Sequence, residues 1–306
     1  MAKLELFDPA TPDRLTLERD AGSLAQALPE ILVEATRAAQ SIAHGLHGRR
    51  RAGPGETFWQ FRRFLDGEPA GRIDWRRSAR DDLLYVRERE WEAAHTVFVW
   101  ADRSVSMSVR SRLALATKRH RALVLALAMG TLLVEGGERA ALLGLTRPSA
   151  SRRVATLFAE ALARETSPGE NLPRPEPLPR FSEFLVMGDL LDPAEAIEAR
   201  LARLAENGAR GHLVMILDPA EEAFPFDGRA VFVEPESGAR WLAGRAENFR
   251  EGYRTLLADH KAALAELSAR LGWSFLVHHT DRPAHEALIA LRARLMEGGE
   301  RRGRAS

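Results

Sequence analysis

The feature that most limits what this chain can fold into is an alternation that begins near residue 95. Apolar runs occur at HTVFVWA (95–101), RAALLGLT (139–146), FSEFLVMG (181–188), GHLVMILD (211–218) and SFLVHHT (274–280). Helical stretches separate and follow them at roughly 110–136, 149–165, 192–207, 246–270 and 283–297. A strand that is apolar throughout is buried on both faces. Such strands alternating with helices build βαβ units, so the expected fold is α/β with a doubly wound, mostly parallel sheet. The punctuation agrees. Asp192-Pro193 supplies an N-cap and an N1 proline, Gly208 ends that helix, and Asp281-Arg282-Pro283 opens the last one.

Four stretches break the rhythm. Residues 22–44 carry helical periodicity through Leu24, Leu28, Ile31, Leu32 and Ala35. Residues 45–91 mix glycines, aromatics and arginines and read as short strands and turns. Residues 166–180 hold five prolines and must be extended. Residues 229–242 resemble a hairpin turning at Glu236-Ser237-Gly238. The expected division is an N-terminal extension over 1–91 and an α/β domain over 92–300.

Composition removes several function classes. The chain has no cysteine, which excludes disulfides, thiolate zinc sites, iron–sulfur clusters and thiol nucleophiles. The formal charge of +1 gives no global field for nucleic acid or an anionic membrane. The N-terminus lacks the apolar core of a secretion signal, and the uncharged run 122–134 is too short to span a bilayer. A cytoplasmic chain without an integral membrane segment is expected.

The stretch ADRSVSMSV (101–109) draws the functional question. Ligands of open α/β sheets bind beyond the carboxyl ends of the strands, and Asp102 stands at such an end. Asp102, Ser104 and Ser106 are spaced two residues apart, so a tight loop can turn three oxygen donors toward one point. One carboxylate with hydroxyls and waters suits Mg²⁺ (or Mn²⁺) at about 2.1 Å, not zinc or copper. FLVMGDLLDP places Asp189 directly after the 181–188 strand, and in a parallel sheet it emerges on the same edge as Asp102. Ser108 reads as a helix-start residue. The alternative is a polar turn in which the serines cap the next helix.

VFVWADRSVSMSV resembles the metal-ion-dependent adhesion site of von Willebrand factor type A domains. The preceding GRRRAGPGETFWQFRRFLDGEPAGRIDWRRSARDDLLYVRERE resembles a widespread bacterial family, the domain-of-unknown-function family fifty-eight. Arg72, Ile73, Asp74, Trp75, Ser78, Ala79, Arg80, Val86, Arg87 and Glu88 match its hallmark, and the likeness extends over about residues 20–295. It implies a type A-like domain with Asp102, Ser104, Ser106 and Asp189 as metal residues. It also implies a protein partner, a MoxR-type AAA+ ATPase thought to act as a chaperone, with its client. The threonine that type A domains present from a middle loop has no clear counterpart. Gly169-Glu170-Asn171-Leu172 falls at that place, and Thr166 is out of register.

Other constellations carry less. Eleven arginines against eight acids between Arg49 and Glu90, with Phe58, Trp59, Phe61, Phe64 and Trp75 among them, give too mild a balance for tracking phosphates. There the aromatics are expected to dock the segment on the sheet domain and the arginines to pair with neighbouring carboxylates. The nine histidines are scattered, and a P-loop, Gly-x-Ser-x-Gly and a dinucleotide glycine pattern are absent. The expected function is a non-enzymatic protein-binding module with a metal-ion-dependent adhesion-like site. The alternatives are Mg²⁺-dependent phosphoryl transfer through Asp102, or a scaffold whose metal site has decayed.

Overall fold

The computed structural model describes residues 14–44, 58–64, 69, 73–80, 83–89, 95–165, 169–235 and 237–303. Five strands form one parallel sheet: β3 (Thr96–Ala101), β4 (Arg139–Leu142), β5 (Glu183–Gly188), β6 (Arg210–Leu217) and β9 (Ser274–His279), in the order β4-β3-β5-β6-β9. Every neighbouring pair is parallel. The apolar strands account for this: β5 is buried at every position, and β6 at all but its first.

Two cores lie on the two faces. On one, Val97, Val99, Ala101, Leu185 and Met187 pack against α3 (Lys118–Glu135), α4 (Val154–Arg164) and α8 (Ala284–Gly303). Leu28, Ile31, Ala35, Ala39 and Ile42 of α1 (Arg14–His44) join the same cluster. On the other face, Phe184, Val186, Leu213 and Met215 pack against α5 (Ala194–Ala205) and α7 (Arg250–Arg270). Helices on both faces of a parallel sheet make the fold doubly wound, as the alternation required. Helix α3 is apolar around most of its circumference, with Ala122 through Met129 all buried, because α1 covers the side that faces away from the sheet.

The winding fixes where a site can form. Adjacent β3 and β5 send their following helices, α3 and α5, to opposite faces. Their carboxyl ends therefore flank the switch point of the sheet, where the departing chains leave a crevice. Asp102 and Asp189 are the residues after or at those ends.

Three smaller pieces complete the described chain. β1 (Phe58–Arg63) pairs antiparallel with β2 (Tyr85–Arg89), and the single turn α2 (Trp75–Ser78) lies between them in sequence. α6 (Pro219–Ala223) follows β6, and β7 (Ala230–Val233) pairs with β8 (Arg240–Ala243) in the expected hairpin. The turn residue Glu236 lies outside the described residues, as do Arg72 and Thr166. Among the described residues, no helix is long and apolar enough to cross a membrane.

The start of α3 differs from the periodicity. The helix expected from about residue 110 begins at Lys118, with Thr117 as its N-cap accepting a hydrogen bond from the His120 N–H at 3.1 Å. Leu113 and Leu115 lie on the loop before it, and both face solvent, at 50% and 74% exposure. Ser108 is accordingly no helix start. It closes a 3-10 turn over Val105–Ser108, and its hydroxyl is buried without a hydrogen-bond partner among the described residues.

Candidate functional site

The site is built on the first residues beyond β3 and β5. Asp102 is fully buried, and its backbone N–H extends the ladder to the Met187 carbonyl at 2.8 Å. Its Oδ1 accepts the Ser104 N–H at 2.8 Å, which turns the chain back over the strand end. The hydroxyls then form a file. Ser104 Oγ lies 3.1 Å from Ser106 Oγ, and Ser106 donates to Asp189 Oδ2 at 2.7 Å. The four residues singled out in the sequence thus stand in one bonded cluster spanning the switch point.

Two glycines make the close approach possible. A Cβ at Gly188 would lie 3.0 Å from Asp102 Cβ and from its Oδ2, so a larger residue there would press on the carboxylate. A Cβ at Gly169 would lie 2.7 Å from the carbonyl carbon of Arg103, inside contact distance. The middle loop therefore closes on the first loop by bare backbone. Its side chains turn to other partners: Asn171 donates to Asp192 Oδ2 at 2.7 Å, and Glu170 meets Arg200 at 3.3 Å. On the far side Leu190 holds a left-handed φ of 49°, kept there by its own burial and by His260, which donates to its carbonyl at 2.6 Å.

Three residues of the cluster were not singled out in the sequence. Lys118, 1% exposed, places its ammonium 3.1 Å from Asp189 Oδ2 and 2.6 Å from Glu221 Oε1. Glu221 Oε2 accepts the Asp218 N–H at 2.7 Å, and Asp218 caps α6 in return, through the Ala220 N–H at 2.9 Å. Asp218 is the third strand-end acid, and its other oxygen accepts the Ser111 N–H at 2.7 Å, anchoring the loop before α3. Its signal was legible: GHLVMILD ends in an acid as the other two strands do, and Asp-Pro-x-Glu is a capping box. Lys118 had no comparable signal, since a lysine at a helix start ordinarily reads as solvated.

The electrostatics separate Asp102 from the others. Burial pushes its carboxyl up to about 8, Asp189 pushes the same way, and the Ser104 hydrogen bonds with the more distant Lys118 only partly oppose this. Burial alone would lower Lys118, but the carboxylates of Glu221 and Asp189 outweigh it and hold the ammonium above its ordinary value. One atom is left over: Asp102 Oδ2 is buried and has no hydrogen-bond partner among the described residues. A buried carboxylate oxygen without a donor is costly. A hard cation would satisfy it, and the surrounding donors are all oxygen, as Mg²⁺ or Mn²⁺ prefers. Asp102, Asp189 and the hydroxyls of Ser104 and Ser106 are the residues that could hold such an ion. Among the described residues, no group of three or more acidic or imidazole side chains is placed to hold one. Any ion here would depend on hydroxyls and waters.

The arginine and tryptophan segment forms a self-contained turn. Asp74 Oδ1 caps α2 by accepting the Arg77 N–H at 2.9 Å, and its own N–H is donated to the Tyr85 carbonyl at 2.8 Å. Ser78 donates to the Asp74 carbonyl and accepts the Tyr85 N–H, at 2.8 and 2.9 Å. Ile73 and Val86, both buried, bridge across it, and the Arg77 guanidinium lies 4.5 Å over the Tyr85 ring. Aromatic docking on the sheet domain does not extend to Trp75, which is 62% exposed. A tryptophan on a four-residue turn projects outward when the capping bonds, and not its ring, hold the turn.

These two motifs fall within the region matched by a family model described as "Protein of unknown function DUF58", over residues 60–263. The chain belongs to this family. Relatives of the DUF58 chain include uncharacterized proteins of Mycobacterium bovis and Mycobacterium tuberculosis. Each is 25% identical over 293 residues, covering 89% of this chain and 89% of the relative. No solved structure matches the chain.

Proposed function

We propose that this DUF58 chain is a protein-binding module whose strand-end cluster holds Mg²⁺ or Mn²⁺ and offers it to a carboxylate of a partner. The observation that carries this reading is the buried, unpartnered Asp102 Oδ2, beside a file of hydroxyls that leads to Asp189. Asp102 and Asp189 would supply the charge, and Ser104 and Ser106 neutral oxygen donors. The bound ion would act as a Lewis acid toward a ligand oxygen. The likeness to type A adhesion sites supports this use, and the family resemblance suggests a MoxR-type AAA+ ATPase and its client as the setting. The test is partner recovery by immobilised wild type and Asp102→Ala, with Mg²⁺ and with EDTA. Recovery of the ATPase only by wild type in Mg²⁺ is expected; equal recovery under all four conditions would remove the reading.

A second reading gains from Lys118. Phosphoryl transfer through an aspartate needs a further acid and a cation near the nucleophile, and Asp189 and Lys118 stand in the same cluster as Asp102. Against it, both Lys118 contacts go to other carboxylates, and Asp102 is fully buried. Turnover of generic phosphatase substrates in Mg²⁺, lost in Asp102→Asn, would favour this reading over the first.

A further inference from the structure

Lys118 stands where neither helix nor solvent explains it. It is the first residue of α3, where the partial positive charge of the helix end disfavours a cation. The helix is already capped by Thr117, so Lys118 has no capping task. It is 1% exposed, and removing an ammonium from water is expensive unless opposite charge answers it. Two carboxylates do, and they belong to different machinery. Asp189 is a residue of the candidate ion site, and the oxygen that meets Lys118 is the same Oδ2 that accepts the Ser106 hydroxyl. Glu221 is fixed independently by the Asp218 backbone, and its contact with the ammonium is the shorter, at 2.6 against 3.1 Å.

We propose that Lys118 is a resident counter-cation that limits how readily the Asp102–Asp189 site takes a divalent ion. Glu221 is the carboxylate on which its ammonium rests when Asp189 is given up to that ion. This rests on the metal reading above and adds a control to it. One oxygen of Asp189 cannot serve the ammonium and a divalent ion equally, and the two cations repel at short range. Glu221 makes the exchange possible, because it keeps Lys118 paired after Asp189 turns away. Occupancy of the site is then conditional, and a partner that contributes a further carboxylate shifts it toward the ion.

The test uses the full chain and follows Mg²⁺ and Mn²⁺ binding by calorimetric titration and by thermal melts. Circular dichroism in EDTA first checks that each variant is folded. Lys118→Met is expected to bind Mg²⁺ at least tenfold more tightly than wild type. Glu221→Gln can still accept the Asp218 N–H, but it leaves the ammonium with Asp189 alone. It is expected to bind Mg²⁺ several-fold more weakly than wild type, which reads the proposal in the opposite direction should Lys118→Met fail to fold. If wild type responds to the ion and Lys118→Met responds equally or more weakly, Lys118 supports the site and the proposal is overturned. Unchanged binding in Glu221→Gln overturns it as well. If neither wild type nor either variant responds to Mg²⁺ or Mn²⁺, the metal reading itself falls, and this proposal falls with it.

Discussion

The two edges of the sheet both bury ionisable groups, and they do so in different ways. Along the amino edge a row follows the strand order itself. Glu138 stands before β4, His95 before β3, Glu183 at the start of β5, His212 in β6 and Ser274 at the start of β9. His95 lies 3.6 Å from Glu138 and 4.0 Å from Glu183. His212 lies 3.4 Å from Glu183 and 2.8 Å from the Ser274 hydroxyl. Each acid there faces an imidazole held on a neighbouring strand. At the carboxyl edge Asp102, Asp189 and Asp218 stand just past their strands and Glu221 follows on α6, and the one lysine there, at the start of α3, meets Asp189 and Glu221. Adjacent strands hold each acid against an imidazole at a fixed spacing, whereas the segments leaving a switch point can gather an excess of acids. The first arrangement stabilises the fold. The second leaves room for something to bind.

That contrast can be broken most forcefully at the amino edge. His212→Leu keeps the volume but leaves Glu183, 1% exposed, without its imidazole on β6. Urea unfolding is expected to show a loss of about 3 kcal/mol, the same in Mg²⁺ and in EDTA. A loss that Mg²⁺ reverses would mean that the two edges are coupled. Next in size is the ion effect at the carboxyl edge. Wild type in Mg²⁺ at 100 times its dissociation constant gains about 2.7 kcal/mol, and Asp102→Asn gains nothing. A melting curve unmoved at saturating Mg²⁺ would make the carboxyl edge as closed as the other.

Acid gives a smaller, graded effect. His278, near the carboxyl end of β9, is lowered to about 3, by burial first and then by Arg121 and His279. Its folded value lies below the unfolded one, so only the unfolded chain takes up a proton between about 6.5 and 3. Stability from this group is present above pH 6.5 and is lost as pH falls, by about 1.4 kcal/mol per unit. Asp102, raised to about 8 by burial, has the opposite dependence over this range, so the measure is the difference between wild type and His278→Gln, which in urea unfolding at pH 6, 5 and 4 should carry that slope. Smallest of all is Ser108→Ala. The Ser108 hydroxyl has no hydrogen-bond partner among the described residues, and the serine stands outside the Ser104–Ser106–Asp189 file. Its removal should leave stability within about 0.5 kcal/mol and the Mg²⁺ response untouched. A lost response would extend the site by one residue.

The sheet and the two acids at its switch point were legible because period and strand-end position are local properties of a sequence. Asp218 was equally legible, and only its double commitment to Ser111 and Ala220 distinguishes it from Asp102. Lys118 and Glu221 could not be paired from sequence, since 103 residues separate them and each suits its own helix turn differently. The start of α3 lies later than the apolar run suggests, because Leu113 and Leu115 extend that run without being buried. They sit instead on a loop tied down by a backbone bond to Asp218. Trp75 departs from its expected docking for another reason. Composition suggests that an aromatic docks, but the caps at Asp74 and Ser78 hold its turn without it.

The cover that α1 lays over α3 bears on how this protein can be handled. A fragment beginning near residue 92 would contain the whole sheet and every residue of the candidate site. It would also lose Leu28, Ile31, Ala35, Ala39 and Ile42, and so bare a flank of a helix that has almost no polar side to turn to water. Such a fragment should self-associate or recruit chaperones through that stripe. Binding seen with it would report the missing helix instead of the crevice beside Asp102.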